Sequence, residues 1–374
     1  MKSWSNKDLQ FMARALELAS RGLYYTRPNP MVGCVIVAED GEIIGEGYHK
    51  ACGLAHAEVS AFDSVKTQDE SRLQGSTWYV TLEPCNHEGR TPACTQLILR
   101  HPPKRLVIAT VDTNVLVKGR GLAVLRNAGI QVEVGCMEAE ARWLNRRFFK
   151  SMEAGRPWIV LKWAQSADGF IDGRLEHERQ AGSGSMKITG QEAQRLTHRW
   201  RAEEAAILIG AHTALVDDPL LDARHAQGPS PRRIVLDPNG SVHRDLRIWQ
   251  TSEGQLQSKQ SGTIHVTKAA EFSKSEHHCL WDEKLGLNLL LETLWKKFEI
   301  NSILVEGGSA TLNSFLEADL WDEIKRWTAP VQLRRGLRAP ELPAYFSKPD
   351  SEMESGMAGS DRWSRFVRPS DNMS

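Results

Sequence analysis

One break constrains this chain most: Glu153-Ala154-Gly155-Arg156-Pro157, where Gly and Pro interrupt a chain that otherwise alternates short apolar runs with segments of helical spacing. The chain has 374 residues, more than one ordinary domain, so each side of the break can bury a core of its own. We therefore expect one α/β domain over residues 1–150 and a second over 156–374.

In the first half, Leu9, Met12, Ala13, Leu16 and Ala19 recur at helical spacing from a start near Ser5 or Asn6, and Gly22 can end the helix. Runs 32–38 and 42–47 flank Glu39-Asp40-Gly41, whose Asp-Gly pair suits a hairpin turn. A helix over 57–65, a strand over 77–82, a helix over 93–99, a strand over 105–110 and a helix over 121–128 then alternate, the pattern of an α/β layer sandwich. A charged helix over 138–150 closes the half. The second half predicts strands at 158–163, 205–209, 233–236 and 302–305 and helices at 191–203, 283–297 and 311–317. The polar stretch 251–262 and the end from about Lys348 read as surface loop or loosely ordered chain.

The 47 basic residues balance the 47 acidic ones. Nucleic-acid readers depend on basic surfaces, so no nucleic-acid partner is expected, although a basic pocket for one phosphate is compatible with the balance. No segment has the apolar length of a signal peptide or a membrane span, so we expect a cytoplasmic protein with no membrane partner. Cysteines stand at 34, 52, 85, 94, 136 and 279, too scattered for a disulfide framework. Cys34, Cys52 and Cys136 read as inert thiols.

Three other side chains carry the chemical signal. His56-Ala57-Glu58 falls at a predicted helix start, Pro84-Cys85 where a strand ends, and Cys94 at the next helix start. One imidazole and two thiolates can hold a tetrahedral Zn2+ and leave the fourth position to water, the pattern of a catalytic site. Water on such an ion ionises near neutral pH and can attack an amidine-like ring carbon. Glu58, not a ligand, would move protons as general acid and base. A structural zinc would need a fourth ligand, for which Cys52, His49 and His87 are available, but would leave Glu58 without a task.

These residues, with the run Thr81-Leu82-Glu83-Pro84-Cys85-Asn86-His87-Glu88-Gly89-Arg90-Thr91-Pro92-Ala93-Cys94, resemble the bifunctional deaminase–reductase family of riboflavin biosynthesis. General deaminases separate the two cysteines by two residues, whereas this family has the longer loop. Pro28-Asn29-Pro30-Met31-Val32-Gly33 is similar to the family's early turn. The resemblance covers most of residues 6–330 and implies an α/β fold class: an N-terminal cytidine-deaminase-like three-layer α/β/α domain plus a C-terminal dihydrofolate-reductase-like α/β domain. It implies as substrate 2,5-diamino-6-(5-phosphoribosylamino)pyrimidin-4(3H)-one, a pyrimidine ribosyl phosphate, with Asn29, His87 and Arg90 contacting it. At Asp112-Thr113-Asn114-Val115 the family's prolines are missing.

The second half lacks a Gly-x-Gly-x-x-Gly turn, and Val305-Glu306-Gly307-Gly308-Ser309 between a strand and a helix is by itself a weak anion-site signal. Residues 161–169, Trp200-Arg201-Ala202-Glu203 and Asp217-Asp218-Pro219-Leu220-Leu221 nevertheless resemble the family's reductase domain. That resemblance implies NADPH held by Ala164, Lys187, Thr213, Asp217, Gly308, Ser309, Ala310, Thr311 and Leu312. It places the sugar phosphate against Ser185, Arg201, Leu221, Arg224 and Glu306, the two arginines suiting bidentate phosphate contacts. Lys187 stands where the family often has Trp, and Pro238 where it can have Ser. A homo-oligomer is expected. The competing reading is a deaminase of another pyrimidine or tRNA base with a non-catalytic sugar-phosphate-binding module.

Overall fold

The computed structural model describes residues 3–86, 92–113, 119–250, 262–268, 277–346 and 352–369. The chain divides into two compact units, Met1–Ala154 and Gly155–Ser374.

The first unit runs α1 (Asn6–Ser20), β1 (Gly33–Val37), β2 (Ile43–Tyr48), α2 (Ala57–Phe62), β3 (Thr77–Leu82), α3 (Cys94–Arg100), β4 (Arg105–Thr110), α4 (Arg120–Asn127), β5 (Gln131–Val134), α5 (Glu138–Leu144) and α6 (Arg146–Ala154). Its sheet has the order β2-β1-β3-β4-β5. β1 is antiparallel to β2 and β3, and β3, β4 and β5 are parallel. The strands read as near-continuous apolar runs because both faces are covered. Cys34, Ile36, Trp78, Val80, Leu106 and Ile108 pack with Ala57, Ala61, Ile98 and Leu125. The alternate residues Val35, Val37, Tyr79, Val107 and Ala109 pack with Phe11, Met12, Ala15, Leu18 and Ala141. Helices on both faces make three layers.

Three expectations need correction here. The buried stripe of α1 is Asp8, Phe11, Met12, Ala15, Leu18 and Ala19, while Leu9 and Ala13 are exposed. Burial of the Asp8 carboxylate against Tyr79 and Arg105 turns the helix that way. The charged segment 138–150 is two helices, because Asn145 stops the first and fastens its side chain to the N–H and carbonyl of Met31, each at 2.8 Å. The edge strand β5 carries little apolar signal and had no predicted counterpart.

The second unit contains β6 (Trp158–Ser166), β7 (Phe170–Asp172), α7 (Gln191–Glu203), β8 (Ala206–Gly210), α8 (Ala211–Asp217), β9 (Arg232–Leu236), β10 (Ile264–Thr267), β11 (His278–Leu280), α9 (Gly286–Phe298), β12 (Ser302–Val305), α10 (Ser309–Glu317), β13 (Glu323–Ala329), β14 (Leu337–Arg338), β15 (Glu354–Ala358) and β16 (Asp361–Val367). The main sheet has the order β11-β10-β9-β8-β12-β6-β13-β16-β15. It is parallel from β11 to β13 and antiparallel at β16 and β15. Ile159, Leu161 and Trp163 of β6 face α9 and α10 through the main core. Trp200 of α7 stacks on Trp327 of β13 with centroids 5.2 Å apart on the opposite face.

The C-terminal segment is not loose where it is described. β15 and β16 form a hairpin on β13, and Arg365 of β16 donates to buried Glu323 at 2.8 Å. The expected loop 251–262 lies outside the described residues except for Gly262.

Candidate active sites

In the first unit, sheet and helix ends bring the three expected ligands together. His56 is the N-cap of α2, Cys94 opens α3, and Cys85 follows β3. The Cys94 N–H donates to Cys85 Sγ at 3.3 Å, and the Thr95 N–H donates to the Cys85 carbonyl at 3.2 Å. His56 Nδ1 lies 3.3 Å from Cys94 Sγ and 3.5 Å from Cys85 Sγ, and all three ligand atoms lie within 4.8 Å of one another. A tetrahedral zinc with bonds of about 2.3 Å to sulfur and 2.0–2.1 Å to nitrogen requires separations of roughly 3.5–3.8 Å, so this donor set fits the ion.

Among the described residues no fourth side chain joins the cluster. His49 faces Ala55 and Asn29 instead, and Cys52 is exposed. None of the six cysteines forms a disulfide. The Cys94 thiol, His56 and the Cys94 N–H favour the thiolate of Cys85 against the opposing effect of burial.

Glu58 lies in the first turn of α2 and is 3% exposed. Burial first, then the charge of Cys85, pushes its carboxyl above the usual range, which suits a group that must both accept and return a proton. A cavity of about 240 Å³ opens beside it, lined by Asn29, His49, His56, Glu58, Glu83 and Phe148 among others. Glu83 was not singled out from the sequence. It accepts the N–H groups of Gly119 at 3.0 Å and Asp112 at 3.3 Å, anchoring the chain ahead of α4. His87 and Arg90 lie outside the described residues.

In the second unit a cavity of about 530 Å³ is lined by Ala164, Ser185, Lys187, Arg201, Thr213, Asp217, Leu221, Arg224, Glu306 and Gly308, all singled out from the sequence. The turn after β12 needs bare backbone: a Cβ at Gly307 would lie 2.7 Å from Thr311 Cβ, and one at Gly308 3.2 Å from Thr213 Oγ1. Gly308 donates its N–H to Thr213 Oγ1 at 2.9 Å, tying α8 to the turn. Gly308 is the N-cap of α10 and provides no side-chain cap, so first-turn N–H groups are left to meet an anion. That cradle fits the diphosphate of a dinucleotide. Ser309, Ala310 and Thr311, also expected at the cofactor, follow in the first turn of α10 and are not among the residues lining the cavity. The Leu312 side chain is fully buried in the main core and its N–H donates to the Gly308 carbonyl.

Arg201 lines the cavity with its guanidinium paired inside the protein. Its Nε and Nη2 each donate to Glu306 at 2.9 Å, and Nη1 reaches the Asp222 carbonyl at 3.2 Å, so the fork expected to grip a phosphate is already engaged. Lys162, which sequence reasoning missed, stands on the same face of β6 as Ala164, with Nζ 3.6 Å from Glu306. Burial alone would raise Glu306, but Arg201 and Lys162 hold it down at about 2. Arg224 is the more accessible cation, 53% exposed and 3.3 Å from Asp222. Burial pushes the Asp217 carboxyl up, and its Oδ1 makes no hydrogen bond.

No helix among the described residues is long and apolar enough to cross a membrane.

Residues 5–110 match the family profile of the cytidine and deoxycytidylate deaminase zinc-binding region, and residues 157–336 match the RibD C-terminal domain. The chain is 41% identical to the riboflavin biosynthesis protein RibD of Aquifex aeolicus (strain VF5), across 90% of each chain. Acinetobacter baumannii RibD superposes with a TM-score of 0.82 at 34% identity, covering 97% of this chain and 99% of that one. A Thermotoga maritima diaminohydroxyphosphoribosylaminopyrimidine deaminase/5-amino-6-(5-phosphoribosylamino)uracil reductase gives 0.82 at 31% identity, with the same coverage. The first unit thus has the cytidine-deaminase-like three-layer fold and the second the dihydrofolate-reductase-like fold of the RibD C-terminal domain. On these grounds the chain belongs to the RibD family, the bifunctional deaminase–reductases of riboflavin biosynthesis.

Proposed function

We propose that the first unit hydrolyses the exocyclic amine of a diaminopyrimidine ribosyl phosphate and that the second reduces the ribosyl side chain of the product to ribityl with NADPH. The observation that carries this reading is the convergence of His56 Nδ1 and the sulfurs of Cys85 and Cys94 beside buried Glu58. Zinc held by those three ligands supplies, when bound, an acidified water as nucleophile at neutral pH. Glu58 takes a proton from the attacking water, passes it to the ring nitrogen next to the attacked carbon, and delivers a proton to the departing amine. One water enters and one ammonia leaves. Asn29 binds the ring edge, with His87 and Arg90 assigned to the substrate as well.

In the second unit, NADPH when bound would supply hydride for C1 of the open-chain imine, whose nitrogen takes up a proton from solvent. Ala164, Lys187, Thr213, Asp217 and the backbone of residues 308–311 hold the cofactor, and Ser185, Leu221 and Arg224 hold the sugar phosphate. Glu306 and Arg201 form a rigid, paired floor beneath that substrate. Zinc-replete protein is expected to release ammonia from the diaminopyrimidine nucleotide and then to consume NADPH as product accumulates. Release of ammonia without NADPH consumption would reject the reductase half of the proposal, and failure of both would reject the whole.

A further inference from the structure

Asn29 lies between Pro28 and Pro30, which restrict the backbone on both sides, and its N–H is bonded to the Thr26 carbonyl at 2.8 Å. Its carboxamide stands against His49, and which end faces that ring is a half-turn that exchanges oxygen and nitrogen, so the neighbour decides it. That neighbour is His49, whose Nε2 lies 3.4 Å from Asn29 Nδ2. The other ring nitrogen, Nδ1, lies 3.1 Å from the Ala55 carbonyl, which can only accept. Nδ1 therefore carries the hydrogen, and Nε2 of the neutral ring presents a lone pair.

The ring is firmly held. It is 4% exposed, its backbone N–H donates to the Val32 carbonyl at 2.9 Å, and it meets His56 edge-on with centroids 5.5 Å apart. A fixed lone pair selects the amino end of Asn29 and leaves Oδ1 for the cavity that both residues line. We infer that His49 is a positioning residue that sets the hydrogen-bond polarity of Asn29, so that the deaminase cavity reads an N–H donor on the pyrimidine edge and rejects rings offering an acceptor there. A site built to pair one polar group discriminates strongly against ligands that leave it unpaired. This inference rests on the deaminase reading of the site.

Two variants of the full-length, zinc-replete protein separate the roles of the two ring nitrogens. His49→Asn keeps a donor near the place of Nδ1 for Ala55 but has nothing at the place of Nε2. His49→Gln puts an amide oxygen near the place of Nε2. Ammonia release is measured as kcat and KM, with zinc quantified in the same samples. His49→Asn is expected to raise KM about tenfold, the effect of one hydrogen bond, with zinc content and kcat near wild type. His49→Gln is expected to recover most of that loss. Because His49 acts through Asn29, adding His49→Asn to Asn29→Ala should cost nothing further. Equal losses in the two His49 variants, losses that multiply with Asn29→Ala, or zinc loss in His49→Asn would each overturn the inference. Wild-type protein that releases no ammonia would overturn the deaminase reading and this inference with it.

Discussion

Replacing Glu306 with glutamine leaves two cations, Arg201 and Lys162, in an interior stripped of their shared counter-charge. The side chains of Lys162, Arg201 and Glu306 are 13%, 16% and 10% exposed, so solvent offers little relief. The carboxyl falls from 4.5 to about 2 in this setting, which at about 1.36 kcal/mol per unit corresponds to roughly 3 kcal/mol of stabilisation. The folded-state value is depressed, so this stabilisation is present above about pH 4.5 and is lost as pH falls through about 2. At pH 7 Glu306→Gln forfeits all of it, in line with the about 3–5 kcal/mol expected when one member of a buried pair is removed. Arg201→Met should cost less, about 1–3 kcal/mol, because Lys162 still faces the carboxylate. Urea titration followed by tryptophan fluorescence measures both variants, since most of the tryptophans lie in the C-terminal unit. A loss for Glu306→Gln below about 0.5 kcal/mol, the scale of an ordinary surface substitution, would refute the reasoning. So would a larger loss for Arg201→Met than for Glu306→Gln.

Glu58→Gln should retain one zinc per chain while deamination falls by about 10²–10⁴, read by metal analysis and ammonia release on one preparation; loss of metal with activity would make Glu58 a ligand. Asp361, 2% exposed, accepts the Gly190 N–H at 2.8 Å where α7 lacks a side-chain cap of its own. Asp361→Ala should therefore cost about 1 kcal/mol and raise the reductase KM, with ammonia release unchanged. Burial alone would raise Asp8, but Arg105, Ser5 and Tyr79 bring it to about 2. Its contribution is complete above the usual 3.8 and disappears as pH falls through about 2, so the hydrogen-exchange protection factors of α1, corrected for the intrinsic pH dependence of exchange, should fall on acidification, and more weakly in Asp8→Asn.

How far the sequence reveals the fold depends on where each segment's energy comes from. β3 and β4 end at their predicted residues because both faces are buried, leaving unbroken apolar runs. α1 is legible as a helix, but its apolar spacing does not show that Asp8 turns inward to meet Arg105. The 354–367 hairpin is polar and glycine-bearing, and its order comes from pairing with β13 and from Glu323, groups distant in sequence. The deaminase ligands stand out because three residues of two scarce types, His56, Cys85 and Cys94, fall at helix and strand ends. Lys162 reads as an ordinary strand residue, and His49 only as a possible fourth zinc ligand, until folding puts Glu306 beside one and Asn29 beside the other. Arg201 was legible as a functional residue, but its bidentate engagement by Glu306 was not.

X-ray absorption at the zinc edge of the purified full-length protein addresses the metal centre directly. Two sulfurs at about 2.3 Å and two nitrogen or oxygen neighbours at about 2.0–2.1 Å are predicted, one of the latter exchangeable by a small anion. A shell of four protein ligands that resists exchange, or protein that folds without binding zinc, would contradict the account.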